Sequence, residues 1–514
     1  MAEIRVEQGD IVRYAGDALV VNLFEGVERP GGATGAVDAA LDGAIAQLIA
    51  AGDLRGKEGE VVLIHTFGKI AAPRVVVVGL GKREKFSLDT VRDLAANVAR
   101  FLRRHGYRRV ATILHGTGAG GLAPEASARA IAEGTLLGLY RFTRHKAPEE
   151  DTRDLETLTL IDPDPERVAA ARRGVEVGCI LAEATNFARD LANEPSNYLT
   201  PTELAHRARA LAEETGLECT VLEREQMVEL GMGGLLGVAQ GSAQPPKFIV
   251  LRYQGDPSAN AGMALVGKGI TFDTGGISIK PAAGMEEMKG DMSGGGAVIA
   301  ALGAIARLRP RINVTGIVPA TENMPGGSAI KPGDVLRAMN GTTMEVVNTD
   351  AEGRLILADG ISYARKHNLS PIIDVATLTG AISVALGDVA MGIMGTDQAL
   401  IDRIIAAGRE AGEKLWQLPL FDEYREQIKS DVADIKNSGG RKAGAITAAH
   451  FLRTFVDDTP WAHIDMAGVD IYDREKGWIV KGASGMPVRT LVHTVLALAT
   501  EGAAERAGAS AARP

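Results

Sequence analysis

Short apolar runs alternate with longer amphipathic stretches along residues 1–145. The runs at 18–22, 61–64, 74–78 and 110–114 have the length and composition of buried β-strands. The stretches at 34–50, 88–104 and 124–138 carry apolar residues at helical spacing instead. Strands that alternate with helices predict a mostly parallel sheet covered by helices, which is an α/β fold.

The chain changes composition once and then resumes the same alternation. Residues 148–165 are charged and contain prolines, whereas 166–195 have the pattern of a long helix. A chain of 514 residues is expected to form two domains. We predict an N-terminal α/β domain at 1–165, a connecting helix at 166–195 and a second α/β domain at 196–514. Each domain is expected to contain a mostly parallel or mixed sheet flanked by helices.

Charge and composition narrow the classes of function. The net charge of −9 disfavours general binding to nucleic acids or anionic membranes. The two cysteines, Cys179 and Cys219, supply neither a disulfide framework nor a metal-type spacing. The N-terminus lacks the apolar core of a signal peptide, and no uncharged run reaches the roughly 20 residues of a membrane helix. These features predict a cytoplasmic protein without a membrane partner and without a nucleic-acid partner.

The segment 100–109 is strongly basic and leaves one alternative open. Its arginines are typical of a helix C-terminus, where cations complement the helix dipole before a stop at Gly106. The other interpretation is a local nucleic-acid-binding patch.

Four carboxylates on glycine-flanked segments form the candidate chemistry of the second domain. They are Asp273, Asp291, Asp350 and Glu352. A single Asp-Thr-Gly-Gly or Asp-Ala-Glu-Gly segment usually forms only a turn. Three such segments within 90 residues of an otherwise apolar stretch favour a site at the ends of strands. Four converging negative charges need compensation, and two divalent cations would supply it. Asp350 and Glu352 are two residues apart, so we expect an extended segment that places both side chains on one side.

Several motifs resemble the leucyl aminopeptidase family of dinuclear metallopeptidases. The octapeptide at 348–355 matches that family's signature at every position, and 266–281 matches its metal and lysine segment closely. Further matches lie at 192–201, 374–380 and 461–468. The resemblance is strong over 180–495 and weaker over the first 165 residues. The glycines at 294–296 depart from the family, where alanines are common.

The resemblance implies a set of site residues. The metal ligands would be Lys268, Asp273, Asp291, Asp350 and Glu352, with Asp273 and Glu352 bridging two divalent ions, Mn²⁺ or Zn²⁺. The catalytic residues that do not bind metal would be Lys280 and Arg354, with a bicarbonate possible at Arg354. The substrate pocket would include Met288, Thr377 and Ala467, and its fourth wall position falls at Asp470. Asp470 either points to solvent or lines the pocket mouth and favours Arg and Lys side chains.

The function implied by the resemblance is a metal-dependent aminopeptidase of peptide catabolism. It would hydrolyse the N-terminal residue of peptides, with Leu, Met and other apolar residues preferred, through a hydroxide activated by two metal ions. A homohexamer is implied as well. The alternatives are a catalytically inactive scaffold or a moonlighting DNA-binding protein of the same fold. An inactive scaffold would be free to lose Lys280 or Arg354, and both are present.

The N-terminal domain resembles macro domains, which bind ADP-ribose. The resemblance rests on Gly16-Asp17, the strand ending at Asn22, and Gly31-Gly32. The aminopeptidase family carries such a domain without that activity. We therefore expect no cofactor-binding residues in this domain.

Overall fold

The computed structural model describes residues 2–147, 153–259 and 262–511. Within it the chain divides into two compact units. Unit 1 comprises 1–183 together with 474–480, and unit 2 comprises 184–473 together with 481–514. The boundaries 1–165 and 196–514, as domains in their own right, stay a prediction.

Unit 1 contains a six-stranded sheet and its covering helices. The strands are β1 (Glu3–Gln8), β2 (Ala18–Leu23), β3 (Val61–His65), β4 (Arg74–Gly79), β5 (Arg109–Thr112) and β6 (Thr157–Asp162). The helices are α1 (Gly32–Ala40), α2 (Ala44–Ala51), α3 (Leu88–Arg104), α4 (Pro124–Gly138) and α5 (Pro165–Asn193), the last of which continues into unit 2. Short 3₁₀ turns lie at Ile11–Arg13 and Arg83–Lys85.

The sheet of unit 1 has the strand order β1-β6-β5-β2-β4-β3. Every neighbouring pair is parallel except β3 with β4, at one edge. The predicted mostly parallel α/β sheet is therefore confirmed. Its core is built from the valine- and leucine-rich strands packed against α3 and α4 on one face and against α1 and α2 on the other.

The helix predicted at 34–50 is wrong as a single element, because it is broken into α1 and α2. Asp42 and Gly43 adopt positive φ angles of 55° and 79°, which a continuous helix does not allow. The Asp38 carboxylate accepts hydrogen bonds from the Ile45 and Ala46 amides, so it caps the start of α2. A local polar interaction thus overrides a continuous apolar pattern.

The arginines of the basic segment 100–109 are largely engaged within unit 1. Arg100 donates to the Gly138 and Gly477 carbonyl oxygens, and Arg103 donates to the Leu139 carbonyl oxygen. Arg108 pairs with Glu156. These contacts favour the helix-terminus interpretation of the segment over a nucleic-acid patch.

Unit 2 contains a larger mixed sheet. The strands are β7 (Glu218–Leu222), β8 (Lys247–Gln254), β9 (Met263–Gly267), β10 (Gly269–Asp273), β11 (Asn313–Asn323), β12 (Val335–Arg337), β13 (Thr343–Glu345), β14 (Ile372–Ala376), β15 (Met391–Gly395), β16 (Leu415–Gln417), β17 (Ile435–Lys436), β18 (Trp461–Asp465), β19 (Ile471–Tyr472) and β20 (Gly482–Ala483). The helices are α6 (Pro201–Thr215), α7 (Arg224–Glu229), α8 (Gly233–Val238), α9 (Ser293–Leu308), α10 (Gly353–Lys366), α11 (Gly380–Leu386), α12 (Gln398–Ala411), α13 (Gly444–Arg453) and α14 (Val488–Ala511). The 3₁₀ segments are Ala239–Gly241, Met285–Met292 and Asp422–Ile428.

The main sheet of unit 2 runs β16-β15-β18-β14-β9-β11-β8-β7, and β10 pairs with β11 beside this path. The strands β18, β14, β9, β11 and β10 are mutually parallel, so their carboxyl ends lie at one edge. The helices α9 and α10 are buried against the sheet. None of the described helices is both long and apolar enough to cross a membrane.

Candidate metal centre

The predicted site residues converge at the carboxyl edge of the five parallel strands. Lys268 follows β9, Asp273 ends β10, Thr377 follows β14 and Ala467 lies two residues beyond the end of β18. This edge is where open α/β sheets place their binding sites, because connecting loops splay apart there. Residues far apart in sequence are thereby brought together.

Two further acids, Asp291 and Glu352, lie at the starts of helices. Asp291 lies in the 3₁₀ segment that leads into α9, and Glu352 is the residue before the first turn of α10. The extended conformation predicted for 350–352 is wrong, because 349–350 form a turn and Glu352 is already helical. The two carboxylates still converge. Ligand atoms of Asp273, Asp350 and Glu352 all lie within 4.8 Å of one another.

Lys268 connects three groups of the site. Its Nζ lies 2.7 Å from Asp291 Oδ1 and 2.7 Å from Glu352 Oε1, and it donates to the Thr377 carbonyl oxygen at 3.0 Å. Burial lowers the pKa of Lys268, but the surrounding carboxylates outweigh burial and raise that pKa above its ordinary value. Without a cation the lysine is held as an ammonium. A dication at the same carboxylates would reverse that balance, since it repels the ammonium and binds the neutral amine.

Lys280 lies against the other two acids. Its Nζ is 2.8 Å from Asp273 Oδ2 and also pairs with Asp350 Oδ1. Burial lowers the pKa of Lys280, and the neighbouring Asp273 and Glu352 carboxylates raise it above its ordinary value. Lys280 is more exposed than Lys268, with 22% of its side chain accessible against 3%. It therefore sits at the more open side of the cluster.

The negative charge of the carboxylates is only partly balanced by hydrogen-bond donors and cations of the protein. Asp291 Oδ2 and Glu352 Oε2 are buried and have no hydrogen-bond partner among the described residues. Burial raises the pKa of both carboxyls, and their mutual repulsion with Asp273 adds to the effect. Unpaired buried carboxylate oxygens are costly, so the cluster as it stands lacks positive charge.

Arg354 is fixed by the first turn of α10 and by one backbone carbonyl. Its Nη1 donates to the Asn437 carbonyl oxygen at 2.7 Å, whereas its buried Nε has no partner within the described part of the chain. Burial lowers the pKa of Arg354 to about 10, against the opposing effect of Glu352 and Asp465. The guanidinium thus stays charged at neutral pH with donor capacity to spare.

The predicted substrate-pocket residues are half-buried beside this centre. The Thr377 hydroxyl donates to Asp291 Oδ1 at 2.7 Å, and the Ala467 amide donates to Asp465 Oδ1 at 3.3 Å. Met288 lies in the same 3₁₀ segment as Asp291. Asp470 is half-buried, and its Oδ2 lies 3.7 Å from where a Cβ on Gly290 would stand. The geometry brings Asp470 towards the segment that carries Met288 and Asp291.

Two asparagines that sequence analysis missed organise the acids. Asn323 Nδ2 donates to Asp273 Oδ1 at 2.8 Å and to the Thr349 carbonyl oxygen at 3.0 Å. The Asn437 side chain accepts from the Val347 amide at 2.9 Å and donates to the Asn348 carbonyl oxygen at 2.7 Å. Asn323 ends a buried strand next to β10, and a polar residue at the end of a buried strand could have been predicted as part of the site. Asn437 lies in a polar loop with no motif of its own.

Glycines allow the close approach of backbone to the site. A Cβ on Gly353 would lie 2.6 Å from Lys268 Cε, so a larger residue there would displace the end of the lysine side chain from the acids. A Cβ on Gly294 would lie 2.2 Å from the Val375 carbonyl oxygen, and one on Gly295 would lie 2.6 Å from Val318 Cγ1. The glycine-rich start of α9 is therefore required by its contact with the sheet at two of its three positions.

A buried group of acids and lysines at the carboxyl edge of an α/β sheet is typical of metal-dependent hydrolases. Comparison with known proteins makes the assignment specific. The model of the cytosol aminopeptidase family, catalytic domain, matches residues 186–492, and that of the same family's N-terminal domain matches residues 20–149. The chain belongs to the cytosol aminopeptidase family. It is therefore a hydrolase of the metallo-exopeptidase type, and the predicted resemblance is confirmed.

Relatives and solved structures agree over almost the whole chain. A probable cytosol aminopeptidase of Solibacter usitatus is 48% identical over 495 residues, covering 96% of this chain and 99% of the relative. A probable cytosol aminopeptidase of Geobacter sulfurreducens is 44% identical over 490 residues, covering 95% and 98%.

Among solved structures, the bottromycin maturation enzyme BotP in complex with Mn has a TM-score of 0.84 at 37% identity, covering 94% of this chain and 100% of that one. A mutant of tomato leucine aminopeptidase has a TM-score of 0.85 at 34% identity, covering 97% of each chain.

Proposed function

We propose that unit 2 removes the N-terminal residue from peptides with the help of two divalent cations, Mn²⁺ or Zn²⁺. The observation that carries this proposal is the charge deficit of the centre. Four carboxylates converge there with two lysines, and two buried carboxylate oxygens have no partner among the described residues. Cations at this position would satisfy those oxygens.

The donor set fits such ions. Lys268, Asp273, Asp291, Asp350 and Glu352 would hold them, and Asp273 and Glu352 would each contribute to both. Carboxylate oxygens and one neutral amine suit Mn²⁺ or Zn²⁺ better than a soft ion that prefers thiolates. Support for Mn²⁺ also comes from BotP, which was solved with Mn. When bound, the ions would supply Lewis-acid polarisation of the scissile carbonyl and a water nucleophile at neutral pH.

Lys280 would stabilise the negative charge that develops on the carbonyl oxygen of the scissile bond. Its ammonium is held at the cluster by Asp273 and Asp350, and it is the more exposed of the two lysines. A positioned cation that already faces the reacting oxygen costs no reorganisation during the reaction.

Arg354 would hold a small planar anion. Its Nη1 is bonded to the Asn437 carbonyl oxygen, which orients the guanidinium, while its buried Nε has no acceptor among the residues described. A planar fork with a free donor suits a bidentate anion. Bicarbonate acting as the general base is the proposed occupant.

Substrate selection would follow from charge and size. A free α-amino group would be able to bind one of the two ions, whereas an acylated nitrogen is a poor ligand, so only N-terminal residues would be cleaved. Met288 and Ala467 offer an apolar surface for Leu and Met side chains. Acidic side chains would be repelled by the cluster. Peptide catabolism in the cytoplasm is the proposed setting, since several relatives carry the name cytosol aminopeptidase.

A homohexamer is proposed for the assembly. Six subunits of 54.0 kDa each would combine in a closed symmetric arrangement. A light-scattering mass six times that of the subunit is expected, and a mass of one or two subunits would contradict it.

Metal removal and acetylation test the proposal together. Dialysis against a chelator should abolish cleavage of leucyl p-nitroanilide, and Mn²⁺ or Zn²⁺ should restore it. The N-acetylated leucyl substrate should stay uncut by the restored enzyme, because its nitrogen is a poor ligand. Full activity after exhaustive metal removal would refute the metal requirement. Comparable cleavage of the acetylated substrate would refute recognition of the free amine.

A further inference from the structure

Asp465 is a fully buried carboxylate at the end of β18, close to the metal centre but not among the metal ligands or catalytic residues that the sequence predicts. It pairs in register with Ala376, the last residue of β14, so the loop that leaves β14 begins directly beside it. Asp465 forms no ion pair within the described residues. Neighbouring hydrogen-bond donors must therefore satisfy its two oxygens.

Those donors come mainly from the loop that follows β14. Asp465 Oδ1 accepts from the Leu378 amide at 3.1 Å, and Oδ2 accepts from the Thr379 hydroxyl at 2.7 Å. Oδ1 also accepts from the Ala467 amide at 3.3 Å. Both oxygens are engaged, and the first residues after β14 are tied to the end of β18.

Thr377 connects this loop to two of the acids and lysines in the centre. Its carbonyl oxygen accepts from Lys268 Nζ at 3.0 Å, and its hydroxyl donates to Asp291 Oδ1 at 2.7 Å. On one side of Thr377 the chain is fixed by the pairing of β14 with its neighbours, and on the other side it is fixed by Asp465. The orientation of Thr377 therefore depends on Asp465.

A single peptide group lies between Lys268 and Asp465. The Thr377 carbonyl and the Leu378 amide belong to the same trans peptide, which is planar. Its C=O and N–H point in opposite directions, so Lys268 Nζ binds one side and the Asp465 carboxylate binds the other. Fixing the amide thus fixes the direction of the carbonyl. A charged acceptor on the amide also polarises the peptide and strengthens the carbonyl as an acceptor.

We propose that Asp465 is a positioning residue that orients Lys268 and Asp291 through Thr377. This inference rests on the proposed function, in which both residues hold divalent cations. The Thr377 carbonyl engages one hydrogen of the Lys268 amino group, so the group turns less freely about its last bond. A ligand that is already oriented loses less freedom when a cation binds, and this raises the affinity for the cation.

A contact that only stabilises the fold differs from a positioning contact in what its loss changes. Loss of a stabilising contact lowers the free energy of unfolding and leaves the affinity of the folded protein for metal unchanged. Loss of a positioning contact also weakens metal binding. The affinity for metal, measured on folded protein, is therefore the deciding quantity.

Calorimetric titration of the metal-free full chain with Mn²⁺ measures this affinity. Asp465→Ala should weaken Mn²⁺ binding by about 10- to 100-fold, the range for losing a group that orients a metal ligand. Asp465→Asn keeps an acceptor for the Leu378 amide and can donate to the Thr379 hydroxyl, so its affinity should stay within about threefold of the unmodified chain. Unchanged affinity in Asp465→Ala, or an equal loss in Asp465→Asn, would overturn the proposal.

Asp256→Ala is the matched control. The Asp256 carboxylate is also buried, and it also accepts from an amide and a hydroxyl, those of Ser258. It lies at the opposite edge of the same sheet, because Gln254 at the end of β8 pairs with Asn313 at the start of β11. Asp256→Ala should lower the free energy of unfolding without changing the affinity for Mn²⁺. A similar loss of affinity in this variant would overturn a specific role for Asp465.

Activity at increasing Mn²⁺ concentration gives a second readout. In Asp465→Ala the Mn²⁺ concentration for half-maximal cleavage of a leucyl substrate should rise by the same factor as the dissociation constant. The kcat at saturating Mn²⁺ should stay within about threefold of the unmodified chain, because mass action restores the bound state. A large loss of kcat with an unchanged metal requirement would overturn the positioning role, since Asp465 would then affect the reaction itself.

Thr377→Val tests the route between Asp465 and the ligands. It removes the hydroxyl that contacts Asp291 and keeps the carbonyl that contacts Lys268. In the double variant with Asp465→Ala, the loss of Mn²⁺ affinity should be smaller than the product of the two single losses, because both substitutions act on the same loop. Independent effects would overturn the route through Thr377.

Two further comparisons keep the outcomes distinct. If Asp465→Ala does not fold, Asp465→Ser replaces it, because the serine hydroxyl is polar but too short to reach the Leu378 amide. An unmodified chain that cleaves leucyl substrates without metal would refute the proposed function and this inference with it. A metal-dependent unmodified chain whose Mn²⁺ affinity does not change in Asp465→Ala or Asp465→Ser would refute this inference alone.

Discussion

Charged side chains gather at the carboxyl edge of the parallel strands in both units, but they differ in sign and in burial. In unit 2 three of the four acids, at the end of β10 and at the starts of α9 and α10, are almost completely buried, and two lysines pair with them at 2.7–2.8 Å. In unit 1 the strand ends form an open cleft, where Arg167 pairs with Asp162 while the exposed Arg29 and Arg83 have no ion-pair partner among the residues described. The sheet determines where a site lies. Burial and the sign of the side chains at the loops determine what it binds.

Burial also determines how much a single residue matters. A buried charge without its partner is costly, so substitution in the metal centre should have large effects. Exposed charges are screened by water, and each contributes little. The expected effects of substitution are therefore largest for the buried acids and smallest for residues at the rim of the site.

The largest effect is expected from the two acids that we propose bind both ions. Asp273→Ala or Glu352→Ala should abolish activity and lose bound metal, because each removes a carboxylate from the middle of the cluster. Metal content by mass spectrometry and kcat/KM on a leucyl substrate measure both outcomes. Asp334→Ala is the control, since Asp334 pairs with the exposed Lys331 outside the centre. A Glu352→Ala protein that retains two ions per chain would contradict the ligand assignment.

Lys280 and Arg354 should have the next largest effect. Alanine at either position should lower kcat by about 10²- to 10⁴-fold while the metal content stays unchanged, because we propose that Lys280 acts on the reacting oxygen and Arg354 on a bound anion. Lys331→Ala, at the surface, should leave kcat unaltered. Loss of metal from the Lys280→Ala protein would instead make Lys280 a structural partner of the acids.

Replacing a glycine should likewise destabilise the protein more beside the buried acids of unit 2 than in the open cleft of unit 1. Gly294→Ala should lower the free energy of unfolding by about 1–3 kcal/mol, since its Cβ would lie 2.2 Å from a backbone oxygen that cannot move freely. The Cβ of Gly118→Ala enters open space in the cleft of unit 1, so this variant should change the free energy of unfolding by less than about 0.5 kcal/mol. Denaturant unfolding compares the two variants. Equal effects would mean that the start of α9 adjusts as easily as an exposed loop.

The sequence correctly predicts the helices that have strong hydrophobic periodicity. It does not predict breaks that depend on individual side-chain contacts. The helices at 88–104 and 124–138 occur as predicted, because their apolar faces pack on the sheet. The helix at 34–50 breaks because the Asp38 carboxylate caps a second start, which an apolar pattern does not reveal.

The same distinction holds at the metal centre. The acids stand in recognisable motifs, so their convergence could be predicted from the resemblance. Asn437 could not, because it contacts Asn348 across 89 residues of sequence and its loop carries no signature. The extended conformation expected at 350–352 failed because the segment has to turn into α10, whose first turn orients Arg354.

The smallest predicted effect concerns Asp470, at the rim of the metal centre. Its Oδ1 accepts from the Gly468 amide at 3.2 Å, and its Oδ2 lies towards Gly290. Asp470 forms no ion pair within the described residues, and burial raises its pKa to about 6, with Glu287 adding to the effect. A partly buried carboxylate without a cation is a suitable partner for the side chain of an N-terminal Arg or Lys.

Asp470→Asn keeps the contact with Gly468 and removes the charge. It therefore tests the ion pair between Asp470 and an Arg or Lys side chain of the substrate. The ratio of kcat/KM for arginyl over leucyl substrates should fall by about threefold to tenfold, the range of one partly exposed ion pair. In the unmodified chain the same ratio should fall as the pH drops through about 6, because protonation removes the charge, and in Asp470→Asn it should not. Glu287→Gln, an exposed acid nearby, is the matched control and should have a smaller effect. If neither the substitution nor the pH changes the ratio, Asp470 does not select substrate.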